Sequence, residues 1–257
     1  MPTATEISTH ANFILRSAEI ADYPSALNGL QVDTPASVTK IAGAVDFSSR
    51  TLNAAIKAGA QLLVVHHGAF WQGASPLTGK WYGTVAALIE NSIGVYSSHL
   101  PLDCHPSLGN NALLAKALEL EATSRFAKFN GTDIGVAGAS EAPLEELVTR
   151  AATFSASHGG HLRVTSSEKN RAIGRWAICT GSGADADTLK EAVELGISTL
   201  IVGEGPHWTS VFAEENDIVI LYAGHYATET LGVQALADAI AKEFGIEWEF
   251  IPAPTGS

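Results

Sequence analysis

Four histidines and three carboxylates occur in this chain at spacings that suit metal ions. His66 and His67 are adjacent, His99 is followed four positions later by Asp103, and His225 by Glu229, with Glu204 between the two pairs. Imidazole and carboxylate together are the donor chemistry of Zn, Fe, Mn, Co or Ni, and they are also the commonest proton carriers in catalysis. Neighbouring side chains on a strand point to opposite faces, so His66 and His67 reach one centre only if the chain turns, and Gly68 supplies a turn. A pair spaced i,i+4 shares a face on a helix and can converge equally well in a loop. Each residue also has an ordinary reading: surface loop histidines, a core histidine at 225, and helix caps at Asp103 and Glu229. Taken as a set, the candidates exceed the roughly three or four donors of one zinc ion. Two ions bridged by a carboxylate and a water would use them.

The elements that position these residues repeat. Thr51-Leu52…Gly59…Leu63-Val64-Val65-His66-His67-Gly68…Trp71 is matched at a fixed interval by Thr188-Leu189…Gly196…Leu200-Ile201-Val202-Gly203-Glu204-Gly205…Trp208. Tyr96-Ser97-Ser98-His99…Asp103 is matched by Tyr222-Ala223-Gly224-His225…Glu229. Short apolar runs such as Leu62–Val65 and Thr199–Val202 read as strands covered on both faces. Helices are expected over 6–20, after Ser48 or Ser49 to Gly59, and over 83–92, 108–120, 143–155, 185–196 and 231–244. Alternating strands and helices point to an α/β fold with parallel pairing. Residues 124–175 break the rhythm. The division is a first repeat at 1–123, with His66, His67 and Asp103, and a second at 124–257, with His225 and Glu229. Pro252–Ser257 reads as a loose tail.

The 257 residues are 46% hydrophobic and 16% charged, which describes a well-buried globular protein. A net charge of −12 repels phosphate backbones, so nucleic acid is not expected on the outer surface. Two cysteines are too few for a disulfide framework. There is no secretory pattern and no apolar run of the roughly 18 residues a membrane span needs, so a cytoplasmic protein is expected.

The ordered set Asn28-Gly29-Leu30-Gln31-Val32, Val64-Val65-His66-His67-Gly68, His99-Leu100-Pro101-Leu102-Asp103 with Gly109-Asn110-Asn111, Gly203-Glu204, and Gly224-His225-Tyr226-Ala227-Thr228-Glu229 resembles the Nif-three-like dinuclear metal-centre family. Its members are often labelled GTP cyclohydrolase 1 type 2 homologs. The resemblance implies two similar α/β/α domains from an internal duplication, with a metal site in the cleft between them and a toroidal homohexamer. It matches His66, His67, Asp103, His225 and Glu229 to the ligands of two divalent ions per subunit, with Glu229 as the natural bridge. One departure is Gly68, where many members have proline. His99 and Glu204 fall outside that ligand set and read as catalytic proton-moving or supporting groups. The label implies a hydrolase acting on GTP, a small-molecule nucleotide substrate, opened at its imidazole ring with loss of formate. A nucleotide phosphoesterase suits the same residues, as does a non-catalytic, metal-stabilised ring that binds a protein partner. Trp71, Trp81 and Trp208 are candidates to stack a planar base or to pack the core.

Overall fold

The computed structural model describes residues 1–73, 75–165 and 170–256. Along the chain run α1 (Ala4–Ile14), β1 (Gly29–Val32), β2 (Lys40–Asp46), α2 (Ser49–Ala58), β3 (Leu62–His67), α3 (Gly79–Glu90), β4 (Gly94–Ser97) and the single turn α4 (Leu100–Asp103). There follow α5 (Asn110–Ala117), β5 (Ser124–Phe129), β6 (Thr132–Pro143), α6 (Leu144–Ser157), β7 (Arg163–Val164), β8 (Ala172–Cys179), α7 (Ala186–Glu194), β9 (Thr199–Val202), α8 (Trp208–Glu215), β10 (Val219–Tyr222), α9 (His225–Phe244) and β11 (Glu247–Phe250). Contacts group these into two compact units, Met1–Leu102 with Gly232–Ala253, and Asp103–Leu231 with Pro254 onward. This grouping follows packing, whereas the division after residue 123 follows the sequence repeat. Among the described residues, no helix is long and apolar enough to cross a membrane.

In the first unit the sheet order is β1-β4-β3-β2-β11, with β1 antiparallel and the rest parallel. The N-terminus of α2 is closed by Ser48, whose side chain accepts from the Thr51 backbone N–H. Its C-terminus is closed by Gly59 in the left-handed region, φ 71°. Between these caps Leu52 and Ala55 pack with Leu88 of α3 on Ala42, Ala44, Leu63 and Val65. The opposite face of the sheet meets α9, where Ala237 lies against Gly43. β2 and β3 run in register so that Asp46 stands opposite His67 at their carboxyl ends.

The second unit has the order β5-β6-β8-β9-β10-β7. Only β8, β9 and β10 pair in parallel, so the expected parallel architecture is in fact mixed. The irregular middle section is the reason: β5 and β6 form a hairpin through Asn130 and Gly131, both at positive φ (46° and 87°). Leu114 of α5, Leu118 at its C-cap, and Leu147 and Phe154 of α6 cover one face, over Val136, Ile178 and Ile201. Leu189, Ala192 and Ala213 of α7 and α8 cover the other, over Ala177, Leu200 and Ile220. The order β8-α7-β9-α8-β10 reproduces β2-α2-β3-α3-β4, and β7 joins β10 antiparallel as β1 joins β4. The expectation of two α/β domains therefore holds.

Other expectations move. The first helix stops at Ile14, because Arg16 adopts φ 52° and a short 3₁₀ turn follows at Ser17–Glu19. Its start is a reciprocal cap between Thr3 and Glu6, and Phe13 near its end is 80% exposed. The last long helix begins at His225 rather than Leu231. Residues 226–230 are buried all round, so no polar stripe marks its first turns. β11, unforeseen, adds to β2 as an edge strand, with Glu249 paired to Lys40 at 2.9 Å. The tail is partly anchored: Ala253 is buried, and Pro254 lies against Gly159.

Candidate functional site

The donors form one group in each unit. In the first, β3 ends on His66 and His67, and His99 follows β4 just before α4. One ligand nitrogen from each of the three rings lies within 4.8 Å of the others. Ring centroids are 4.8 Å apart for His66 and His67 and 5.0 Å for His66 and His99. His66 is fully buried, so its polar ring must be satisfied from within the protein.

What holds these rings is more informative than their proximity. His66 Nδ1 lies 2.9 Å from the Ser98 carbonyl, which can only accept, so the ring proton sits on Nδ1. His67 Nδ1 donates to Asp46 Oδ1 at 2.8 Å, and His99 Nδ1 to Asp22 Oδ1 at 2.8 Å. In a neutral ring each of these bonds leaves Nε2 as the lone-pair nitrogen. A carboxylate or carbonyl behind Nδ1 is the usual support of a metal-bound histidine. Burial works against the charged form of Asp22, but bonds from His99, Asn28 and Leu100 outweigh it and hold its carboxyl below the ordinary value.

The motif at Asn28–Val32 is the frame of this group. Asn28 Oδ1 accepts from the His99 backbone N–H at 2.7 Å. Gln31 Oε1 accepts from Ala69 N–H at 2.7 Å, while its Nε2 donates to the carbonyls of Ala26 and Leu27. A Cβ at Gly68 would collide with the Gln31 amide. Gly68 thus does more than soften the turn after the histidine pair; it leaves room for the clamp on that turn.

In the second unit, α9 opens on His225 and reaches Glu229 one turn later, with His225 Nε2 3.2 Å from Glu229 Oε2. Glu204, just after β9, accepts from His225 Nδ1 at 2.8 Å and from Ser182 Oγ at 3.0 Å. Hydrogen bonding to His225 lowers the Glu204 carboxyl further than its partial burial raises it. For His225, burial alone would lower the pKa; Glu229 and Glu204 outweigh it and raise the ring to about 9. Asp103 is buried and accepts from Asn110 Nδ2 at 2.8 Å. Asn111 ties the same region to Thr180 N–H and the Ile134 carbonyl. Gly181, at φ 63°, brings its backbone so close to the Glu229 carboxylate that a Cβ would collide with it. Gly181-Ser182 is therefore a cradle for His225 and Glu229.

Asp22, Asp46, Gly181 and Ser182 were not among the sequence candidates. Asp46 had a signal, as a carboxylate at the carboxyl end of a buried parallel strand. Asp22 had none, since its partner lies far along the chain. Of the tryptophans, Trp71 packs on His99 and His67 at centroid distances of 4.8 and 5.5 Å. Trp81 packs with Phe47 and Phe70, and Trp208 is 43% exposed beside Phe212.

Imidazoles with supported Nδ1 atoms, and a His–Glu pair whose carboxylate is buried, fit divalent transition ions by their donor chemistry. Fold and side chains thus define an α/β protein of two units with His and Glu side chains positioned to bind a metal ion. The chain belongs to the family described as Duf34/NIF3 (NGG1p interacting factor 3), whose sequence profile matches residues 3–255. A protein of Deinococcus radiodurans named GTP cyclohydrolase 1 type 2 homolog is 40% identical over 240 residues, covering 92% of this chain and 89% of that one. One of Halobacterium salinarum with the same name is 40% identical over 254 residues and covers 98% of each. Among solved structures, a structural-genomics protein of unknown function, ybgI, superposes with a TM-score of 0.88 at 32% identity, covering 99% of this chain and 100% of that one. TTHA1606 from Thermus thermophilus superposes at 0.83 with 29% identity, and the coverage is again 99% and 100%.

Proposed function

We propose that this protein is a dinuclear metal-dependent hydrolase of the GTP cyclohydrolase type, in which His66, His67, Asp103, His225 and Glu229 hold a pair of divalent ions. The observation that carries this reading is the state of the imidazoles: His66, His67, His99 and His225 all have Nδ1 bound to a carbonyl or carboxylate. His158 Nδ1 also meets a carbonyl, that of Phe154, so the pattern counts here because it falls on rings that lie in donor groups. The names of the relatives from Deinococcus radiodurans and Halobacterium salinarum supply the substrate class. Divalent ions, when bound, supply an acidified water and positive charge for the developing anion. The chain's own part is to orient and to move protons. His99 Nε2 takes the proton of the attacking water and hands it to the departing group. Glu204 holds the His225 ring in place through Nδ1.

The test is metal content by mass spectrometry with turnover of GTP and generic phosphoesters, in the wild type and in His67→Ala. Turnover of GTP that follows metal content and is lost in the variant supports the cyclohydrolase. Turnover of phosphoesters alone would make it a phosphoesterase. A fully metallated protein that turns over neither would overturn the hydrolase and favour a scaffold that binds a protein partner. The resemblance also carries the toroidal homohexamer, and light scattering decides it by whether the particle has six times the 26.8 kDa chain mass.

A further inference from the structure

We propose that Asp22, seated by Asn28, is a positioning residue that fixes the ring proton of His99 on Nδ1 and keeps Nε2 as the lone-pair nitrogen beside His66 and His67. Its catalytic meaning rests on the hydrolase reading above; the tautomer itself does not.

The Asp22 carboxylate is almost wholly enclosed, with a side chain 6% exposed. Four donors from the described residues surround it. Oδ1 accepts from His99 Nδ1 at 2.8 Å and from Tyr23 N–H at 2.7 Å. Oδ2 accepts from Asn28 Nδ2 at 2.8 Å and from Leu100 N–H at 2.9 Å. Asn28 cannot be turned the other way round. Its Oδ1 receives the His99 backbone N–H at 2.7 Å, which leaves its amide nitrogen for Asp22. An acceptor-only carboxylate facing Nδ1 obliges that nitrogen to carry the hydrogen. One short stretch, Asp22 to Asn28, thus grips both the ring and the backbone of a histidine that is distant in sequence. It also accounts for Asn28, a motif residue that the metal ligands leave unexplained.

Asp22→Asn tests this because its amide can settle in only two ways. With its nitrogen at the Oδ2 position it would oppose two donors, Asn28 Nδ2 and Leu100 N–H. With its nitrogen at the Oδ1 position it opposes one, Tyr23 N–H, and donates to His99 Nδ1. The second arrangement is favoured, and it moves the ring proton to Nε2. Ring-labelled full-length protein, metal-free and zinc-loaded, is examined by long-range ¹H–¹⁵N correlation, which distinguishes an Nδ1–H ring from an Nε2–H ring. The expected result is an Nδ1–H tautomer for His99 in the wild type and an Nε2–H tautomer in metal-free Asp22→Asn. A wild-type Nε2–H ring, or a variant still protonated on Nδ1, overturns the proposal. If the variant does not fold, as judged by circular dichroism, the wild-type spectrum alone decides. With GTP or bis(p-nitrophenyl) phosphate, whichever the wild type turns over, kcat should fall on the order of 10–100-fold with KM held. A wild type that turns over neither defeats the hydrolase reading and leaves the tautomer assignment intact.

Discussion

Three of the four imidazoles are backed by carboxylates and one by a carbonyl, and the carboxylates differ in their contact with water. Asp22 is enclosed, whereas the side chains of Asp46 and Glu204 are 37% and 48% exposed. Solvent screens the exposed pairs and not the enclosed one. Asp46→Ala should therefore weaken zinc binding by less than roughly tenfold, the low end for supporting residues, as read by competition with a chelating dye. Loss of Glu204 acts on a different state. His225 in the metal-free protein is raised from 6.5 to about 9, so its contribution to stability is fully present below pH 6.5 and disappears as pH rises through 9. Denaturation of metal-free wild type and His225→Gln across that window should give curves that converge toward high pH. A gap that widens instead would contradict the raised pKa. The same proton must leave before a metal takes Nε2, so zinc binding near pH 7 should release it, and calorimetry in buffers of different ionisation enthalpy should register the release.

Two glycines show how elements carry these residues, and they predict opposite outcomes. Gly59 ends α2 at φ 71° with open space around it, so Gly59→Ala should cost about 1 kcal/mol of stability and leave metal content unchanged. Gly68 needs no unusual backbone, but an added Cβ displaces the Gln31 amide from three hydrogen bonds. Gly68→Ala should cost on the order of 2 kcal/mol and also lower metal content, because the displaced clamp holds the turn after His67. Urea denaturation with metal analysis separates the two cases. The parts legible in sequence were those with a local signature: the caps at Ser48 and Gly59, the buried runs of β3 and β9, and the repeated His and carboxylate spacing. What escaped depended on partners far along the chain. Asp22 acts on His99, Gln31 on Ala69 and Ser182 on Glu204, and none of these pairs shares a period or a motif. The first turns of α9 escaped for another reason, since a helix buried on all sides has no amphipathic stripe to read.

For the molecule as a whole, the donor groups are a concentration of polar atoms that folding must assemble at a cost. His66 is wholly buried, Glu229 and Asp103 nearly so, and the chain carries a net charge of −12. A ligand that binds only the folded state offsets that cost through mass action, by about 4 kcal/mol at a thousandfold excess over its dissociation constant. For a chain of this size each kcal/mol moves the melting temperature by roughly 2–4 °C, so saturating zinc should raise it by on the order of 10 °C. Chelation should reverse the shift. His67→Ala removes a donor whose side chain is 17% exposed and leaves the cores of both units intact. Its metal-free melting temperature should therefore stay near that of the wild type, and its zinc-induced shift should shrink to a small fraction. Scanning calorimetry of both proteins, with and without zinc, measures all four values. An equal shift in wild type and variant would mean that zinc binds elsewhere on the acidic surface, and the proposed ligands would lose their claim to it.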